Sequence, residues 1–114
     1  MILVKNREIA IQISKELEDF KNFDEEYTVL TVFGGVPIDE LTKQFKNGVD
    51  IIIGTPVHVK EQIERKNLKV STIRCTVIDE ADTMLSESSK EEVEFIMRTT
   101  KADRAVDLQT LLFL

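Results

Sequence analysis

The sequence predicts an α/β fold, a mainly parallel sheet with helices on both faces. Three observations predict it. Short apolar runs alternate with segments whose apolar residues recur at helical spacing, the order that builds βαβ units. The runs are apolar at successive positions, as in strands buried on both sides. Glycines and prolines fall at the ends of these runs and not inside them. At 114 residues and 42% hydrophobic content, the chain is long enough for one domain with a core.

Each element follows from local pattern. Ile2-Leu3-Val4 reads as a short strand, and Ile9, Ile13, Leu17 and Phe20 then mark one face of a helix. Val29 to Phe33 is a second strand, stopped by Gly34-Gly35. Pro37 suits the first turn of a helix whose apolar face is Ile38, Leu41 and Phe45, ended by Asn47-Gly48. Val49 to Ile53 is a third strand, closed by Gly54. Thr55-Pro56 reads as an N-cap and a first-turn proline, opening a helix that carries Val59 and Ile63 to about Asn67. Arg74 to Ile78 is a fourth strand, with a short helix, Ala81 to Leu85, behind it. Ser89-Lys90-Glu91-Glu92 matches a capping box before Val93, Ile96 and Met97, and Thr110 to Leu114 is a fifth strand. Loops are expected over Asn22–Glu26, Leu68–Thr72, Ser86–Ser89 and Lys101–Asp107, none long enough to link domains.

Composition narrows the function classes. The net charge is -6, so there is no global basic footprint, and any nucleic-acid contact is local or depends on a partner domain. The one cysteine, Cys75, cannot form an internal disulfide and reads as a small buried hydrophobe. Met1 to Val4 is too short for a signal peptide, and no run reaches transmembrane length. The expectation is an intracellular protein of the nucleus, nucleolus or cytoplasm, with no membrane partner.

In parallel α/β sheets, ligands bind outside the carboxyl ends of the strands. The unusual residues of this chain fall there: Lys5-Asn6-Arg7-Glu8, Gly34-Gly35, Gly54-Thr55-Pro56 and Asp79-Glu80-Ala81-Asp82. Adjacent carboxylates on a rigid strand tip can place a magnesium ion and a base beside a phosphate. Taken alone, the same acids would serve only to stabilise a helix N-terminus, Gly34-Gly35 would be a plain turn and Thr55-Pro56 a plain cap.

With these landmarks in order, the sequence resembles the DEAD-box ATP-dependent RNA helicases over essentially its whole length. Arg7-Glu8-Ile9-Ala10 stands for the P-T-R-E-L-A motif, Gly34-Gly35 for the GG doublet and Thr55-Pro56 for the start of T-P-G-R. Asp79-Glu80-Ala81-Asp82 stands for the Walker-B-like motif, and Gln109 to Phe113 resembles the strand leading into S-A-T. Gln44 to Ile51 and Gln109 to Phe113 also bear a weak similarity to the nucleolar Gu-type subgroup. The resemblance implies an incomplete RecA-like, P-loop NTPase lobe, a partial ATP-binding domain spanning residues 1–114.

The resemblance also implies roles. Asp79 would hold Mg2+, through water or directly, against the phosphates of ATP. Glu80 would orient or deprotonate the attacking water, and Asp82 would link the nucleotide site to S-A-T. Asn6, Arg7, Gly34, Gly35, Thr55 and Pro56 would contact the sugar-phosphate backbone of RNA without reading its sequence. The family's Pro-Thr before arginine is here Lys5-Asn6, and its Gly-Arg after Thr-Pro is here Val57-His58, which removes a permanently charged fork for phosphate.

The sequence contains no G-x-x-x-x-G-K-[ST] loop, Q motif, S-A-T motif or second RecA-like lobe. ATP and Mg2+ are the family's cofactors, yet without a phosphate cradle this chain alone is expected to bind them loosely and to be inactive. Its partners would be RNA, held weakly, the missing second lobe, and a further copy of itself through an exposed edge beside Thr110–Leu114. The alternative is a non-enzymatic α/β module, derived from a helicase lobe, that binds RNA or protein. A truncated gene whose parent is an ordinary helicase fits the sequence equally.

Overall fold

The computed structural model describes residues 1–21, 26–86, 89–102 and 107–114. In chain order the elements are β1 (Ile2–Leu3), α1 (Arg7–Asp19), β2 (Val29–Val32), α2 (Ile38–Asn47), β3 (Ile51–Gly54) and α3 (Pro56–Glu64). A 3-10 turn (Val70–Thr72), β4 (Cys75–Ile78), α4 (Ala81–Ser86), α5 (Lys90–Lys101) and β5 (Gln109–Leu112) follow. All five strands form one parallel sheet in the order β2-β3-β1-β4-β5. The expected fold class is therefore observed, and parallel pairing brings every strand's C-terminal end to the same edge.

The sheet is covered unequally on its two faces. Leu3, Val32, Ile52 and Ile78 join Leu41, Val59, Met84, Val93 and Ile96 in one large cluster, so α2 to α5 pack on that side. Val4 and Ile53 meet Ala10, Ile9, Ile13 and Leu17 of α1 on the other. β4 shows the asymmetry residue by residue: Thr76 and Ile78 are buried, whereas Cys75 and Val77 are only half-buried. Cys75 thus lies at the half-covered face and not in the closed core.

Several ends differ from the sequence expectation, each for a tertiary or backbone reason. β3 starts at Ile51 and not Val49, because Asp50 pairs with Thr28 instead of continuing the ladder. The Asp50 carboxylate accepts the Thr28 N–H at 2.9 Å, and the Thr28 hydroxyl accepts the Asp50 N–H at 3.0 Å. α3 ends at Glu64 and not near Asn67. Lys66 adopts φ 62°, and its N–H donates to the Ile63 carbonyl while that of Asn67 donates to Gln62, the double closure of a Schellman turn. The capping box does not form: Ser89 sits at ψ 1°, near-helical and not extended, and its hydroxyl makes no cap bond. The β5 ladder stops at Leu112. The loops expected over Asn22–Glu26, Ser86–Ser89 and Lys101–Asp107 fall mostly outside the described residues.

Among the described residues two buried side-chain oxygens lack a hydrogen-bond partner, one carboxylate oxygen of Glu92 and the Thr76 hydroxyl. The Thr76 hydroxyl has no hydrogen-bond partner although the residue is 1% exposed. Thr76→Val keeps the shape and removes the desolvated hydroxyl, so it is expected to stabilise the fold by about 1 kcal/mol. A rise in the urea midpoint with unchanged slope checks this.

Candidate active site and nucleic-acid interface

The strand order arranges the motif-bearing ends as a strip. From one side to the other it runs Gly34-Gly35 after β2, Thr55-Pro56 after β3, Asn6-Arg7 after β1, then Asp79-Glu80 after β4. Because β1 lies between β3 and β4, residues far apart in sequence become neighbours at this edge.

The acidic segment is fixed by its backbone. The Asp79 N–H donates to the Leu3 carbonyl at 3.1 Å, extending the β1–β4 pairing past Ile78. Glu80 then turns into the left-handed region at φ 50°, one of two non-glycine residues to do so among those described. The Ala81 N–H donates to the Phe113 carbonyl at 2.8 Å, and the Glu80 carbonyl accepts the Met84 N–H at 3.0 Å to start α4. Such a conformation costs about 1 kcal/mol or more in an L-residue and persists because these bonds over-determine it. Asp82 is exposed on the first turn of α4.

Glu80 has a partner that the sequence did not announce. The Lys5 ammonium lies 3.6 Å from its carboxylate, with the two side chains 52% and 43% exposed. A pair this wet adds little stability, but it sets a cation beside the candidate base. Among the described residues no group of three or more Asp, Glu, His or Cys side chains could hold a metal ion. The acids of Asp79-Glu80-Ala81-Asp82 therefore make no cage of their own. A lone carboxylate at a strand tip fits magnesium only where water and ligand phosphates supply the other oxygens.

The candidate RNA-contact residues form a connected group. Asn6 is extended (φ -148°, ψ 170°) and caps α1, its side-chain oxygen accepting the Ile9 N–H at 3.0 Å. That bond uses the side-chain oxygen and not the NH2 donor. Arg7 is exposed, and its guanidinium lies 4.9 Å from the centre of the Phe33 ring, which links the β1 end to the β2 end. Thr55 is the N-cap of α3 and Pro56 its first residue, as expected. The Thr55 hydroxyl does not cap the helix, however. It lies 2.9 Å from Nδ1 of His58. The same imidazole lies against Gly34, where an added Cβ would sit 3.0 Å from Nε2. His58 thus joins the β2 and β3 ends. Gly35 is exposed at φ 93°, a turn that favours glycine.

Sequence reasoning did not find Phe33 as the platform for Arg7, Lys5 as the partner of Glu80, or His58 as the contact between loops. Phe33 carried one usable signal, an aromatic residue directly before Gly34-Gly35. The two others depend on strand order.

The sequence and the fold agree with known proteins. The DEAD/DEAH box helicase family profile matches residues 1–113. The chain is 38% identical over 104 residues to the RNA helicase CrhR of Synechocystis sp., covering 91% of this chain and 21% of that protein. A DEAD box protein from the hyperthermophile Methanococcus jannaschii superposes with a TM-score of 0.83 at 31% identity, over 98% of this chain and 29% of its own. The yeast DEAD-box splicing factor Prp28 gives 0.82 at 30% identity, over 98% and 26%. The chain thus spans about a fifth of the length of the curated relative it matches. Its five-stranded parallel sheet is that of a RecA-like lobe, and the chain belongs to the DEAD/DEAH box helicase family.

Proposed function

We propose that residues 1–114 form part of the ATP-binding RecA-like lobe of an ATP-dependent RNA helicase, without its phosphate loop, Q motif, S-A-T motif or second lobe. The observation that carries this reading is the strip of motif ends along one edge of the sheet, with the acids at one end and the RNA-contact group beside them. Asp79 would hold Mg2+ against nucleotide phosphates, the ion neutralising charge there. Glu80 would position a water, and Asp82, exposed on α4, would connect to the S-A-T segment. Asn6, Arg7, Gly34, Gly35, Thr55 and Pro56 would take the sugar-phosphate backbone through amide, guanidinium, hydroxyl and helix N-terminal N–H donors.

Sequence-independent RNA binding by the isolated chain tests this reading. Fluorescence anisotropy with unrelated single-stranded RNAs should give similar, weak affinities that fall as salt rises. Arg7→Ala should weaken all of them by about fivefold, the loss of one charged phosphate contact. Binding restricted to one sequence, or insensitive to Arg7→Ala, would contradict it.

One observation favours a second reading for the chain by itself. Residues 1–114 contain no G-x-x-x-x-G-K-[ST] loop. On that reading the chain alone is a non-enzymatic module that binds RNA or protein.

A further inference from the structure

The opposite edge of the sheet carries a feature that the RNA and nucleotide reading leaves unused. A cleft of about 900 Å3 opens between the N-terminal ends of β3, β1 and β4 and the C-terminal ends of α2 and α3. Its floor is apolar, formed by residues such as Ile2, Ile51, Leu68, Ile73 and Val77. Its rim carries Lys46, Lys66, Lys69 and Arg74, all exposed.

Among the described residues these cations have no ion-pair partner. The ion pairs among the described residues are Lys5–Glu80, Lys21–Glu18 and Arg65–Glu61, and none involves the rim. Asp50, the acid that lines the cleft, is already bonded to the backbone N–H of Thr28. A cationic rim in a chain of net charge -6 runs against the overall sign. Favourable contact with the negative ends of α2 and α3 accounts for Lys46 and Lys66, which sit at those helix ends. It does not account for Lys69 and Arg74, which flank the 3-10 turn.

The rim is also built rigidly. The Asn67 amide donates to Thr42 of α2 at 3.1 Å and to Gln62 of α3 at 2.9 Å, bracing the two helices across the cleft. Beside it, Lys66 holds φ 62°, where glycine would be relaxed.

We infer that this cleft docks an acidic peptide segment of a partner protein, with one apolar side chain seated on the floor. Charge complementarity argues for the acidic character, and the apolar floor argues for the anchor. A nucleic acid fits less well. Among the described lining residues the one aromatic is Phe45, which is partly buried against the core and so is a poor stacking platform for a base.

The test is NMR titration of the isotope-labelled chain with a synthetic peptide of glutamates flanking a single leucine. Amide shifts are expected at Lys46, Leu68, Lys69, Ile73 and Arg74, with affinity falling as salt rises. Lys69→Glu combined with Arg74→Glu should weaken binding by about tenfold or more, and replacing the peptide's leucine with alanine should also weaken it. Lys66→Gly, which removes a charge while relaxing the backbone, should weaken it without loss of the fold. Shifts confined to the Asp79–Glu80 edge, no shifts, or no effect of the double charge reversal would overturn the inference. So would stronger shifts at the same amides with oligouridylate RNA.

Discussion

Gly54→Ala is expected to destabilise the chain by about 3 kcal/mol, a large share of the stability of a domain this size. Gly54 is the last residue of β3, where β2 and β1 flank the strand and α3 begins just beyond it. A Cβ there would lie 2.5 Å from the Val59 side chain and 2.7 Å from the Val32 carbonyl oxygen. Val59 could change rotamer only inside a closed core, since it is 0% exposed. The Val32 carbonyl cannot withdraw without losing its bond from the Thr55 N–H at 3.2 Å. Both the core and the loop that carries Thr55 would have to move. Gly35→Ala is the control: among the described residues beyond its chain neighbours no atom lies within 4 Å of its Cβ, and only the positive φ penalises it, by about 1 kcal/mol. Urea titrations should separate the two variants clearly. A Gly54→Ala cost equal to that of Gly35→Ala would show that the strand end is looser than its contacts imply.

The second large effect is on oligomeric state. The 114-residue chain is expected to self-associate through β5. Both β2 and β5 are edge strands, but they differ in what they expose. β2 alternates half-buried and buried residues. At β5 the large apolar residues Leu111, Leu112, Phe113 and Leu114 are 38%, 51%, 54% and 92% exposed. An open ladder with exposed apolar side chains is a template for another strand. The face beside it is covered only partly, because α1 packs against Val4 and Ile53 and leaves Val77 half-exposed. Sedimentation velocity over a wide concentration range should show oligomers, and Leu111→Lys with Leu112→Lys should return the chain to monomer. A wild-type chain that stays monomeric throughout would contradict this.

The legible parts of this protein were those set by local pattern. Strands appeared as apolar runs because a parallel sheet buries both faces, and α1 appeared because Ile9, Ile13 and Leu17 must meet one surface. The candidate site was legible as a set of strand-end motifs. Its connections were not. Thr55 occupies the N-cap position, but its hydroxyl goes to His58, a choice settled by the imidazole packed on Gly34. Glu80 and Lys66 hold positive φ, which sequence signals only through glycine or asparagine, so neither turn could be read in advance. The Lys5–Glu80 pair requires β1 to lie beside β4, a matter of strand order that no local window contains.

These features converge on one view of the chain. It brings the candidate acids and the candidate RNA-contact residues to one edge of the sheet, and residues 1–114 contain no G-x-x-x-x-G-K-[ST] loop. Glu80→Gln is expected to leave folding of this chain unchanged, because the Lys5 pair is solvent-exposed. The decisive measurement is Mg2+-ATP turnover by the 114-residue chain, with and without single-stranded RNA, beside the Glu80→Gln variant. The expected result is no hydrolysis above background in any of the four conditions. Hydrolysis stimulated by RNA and abolished by Glu80→Gln would contradict it.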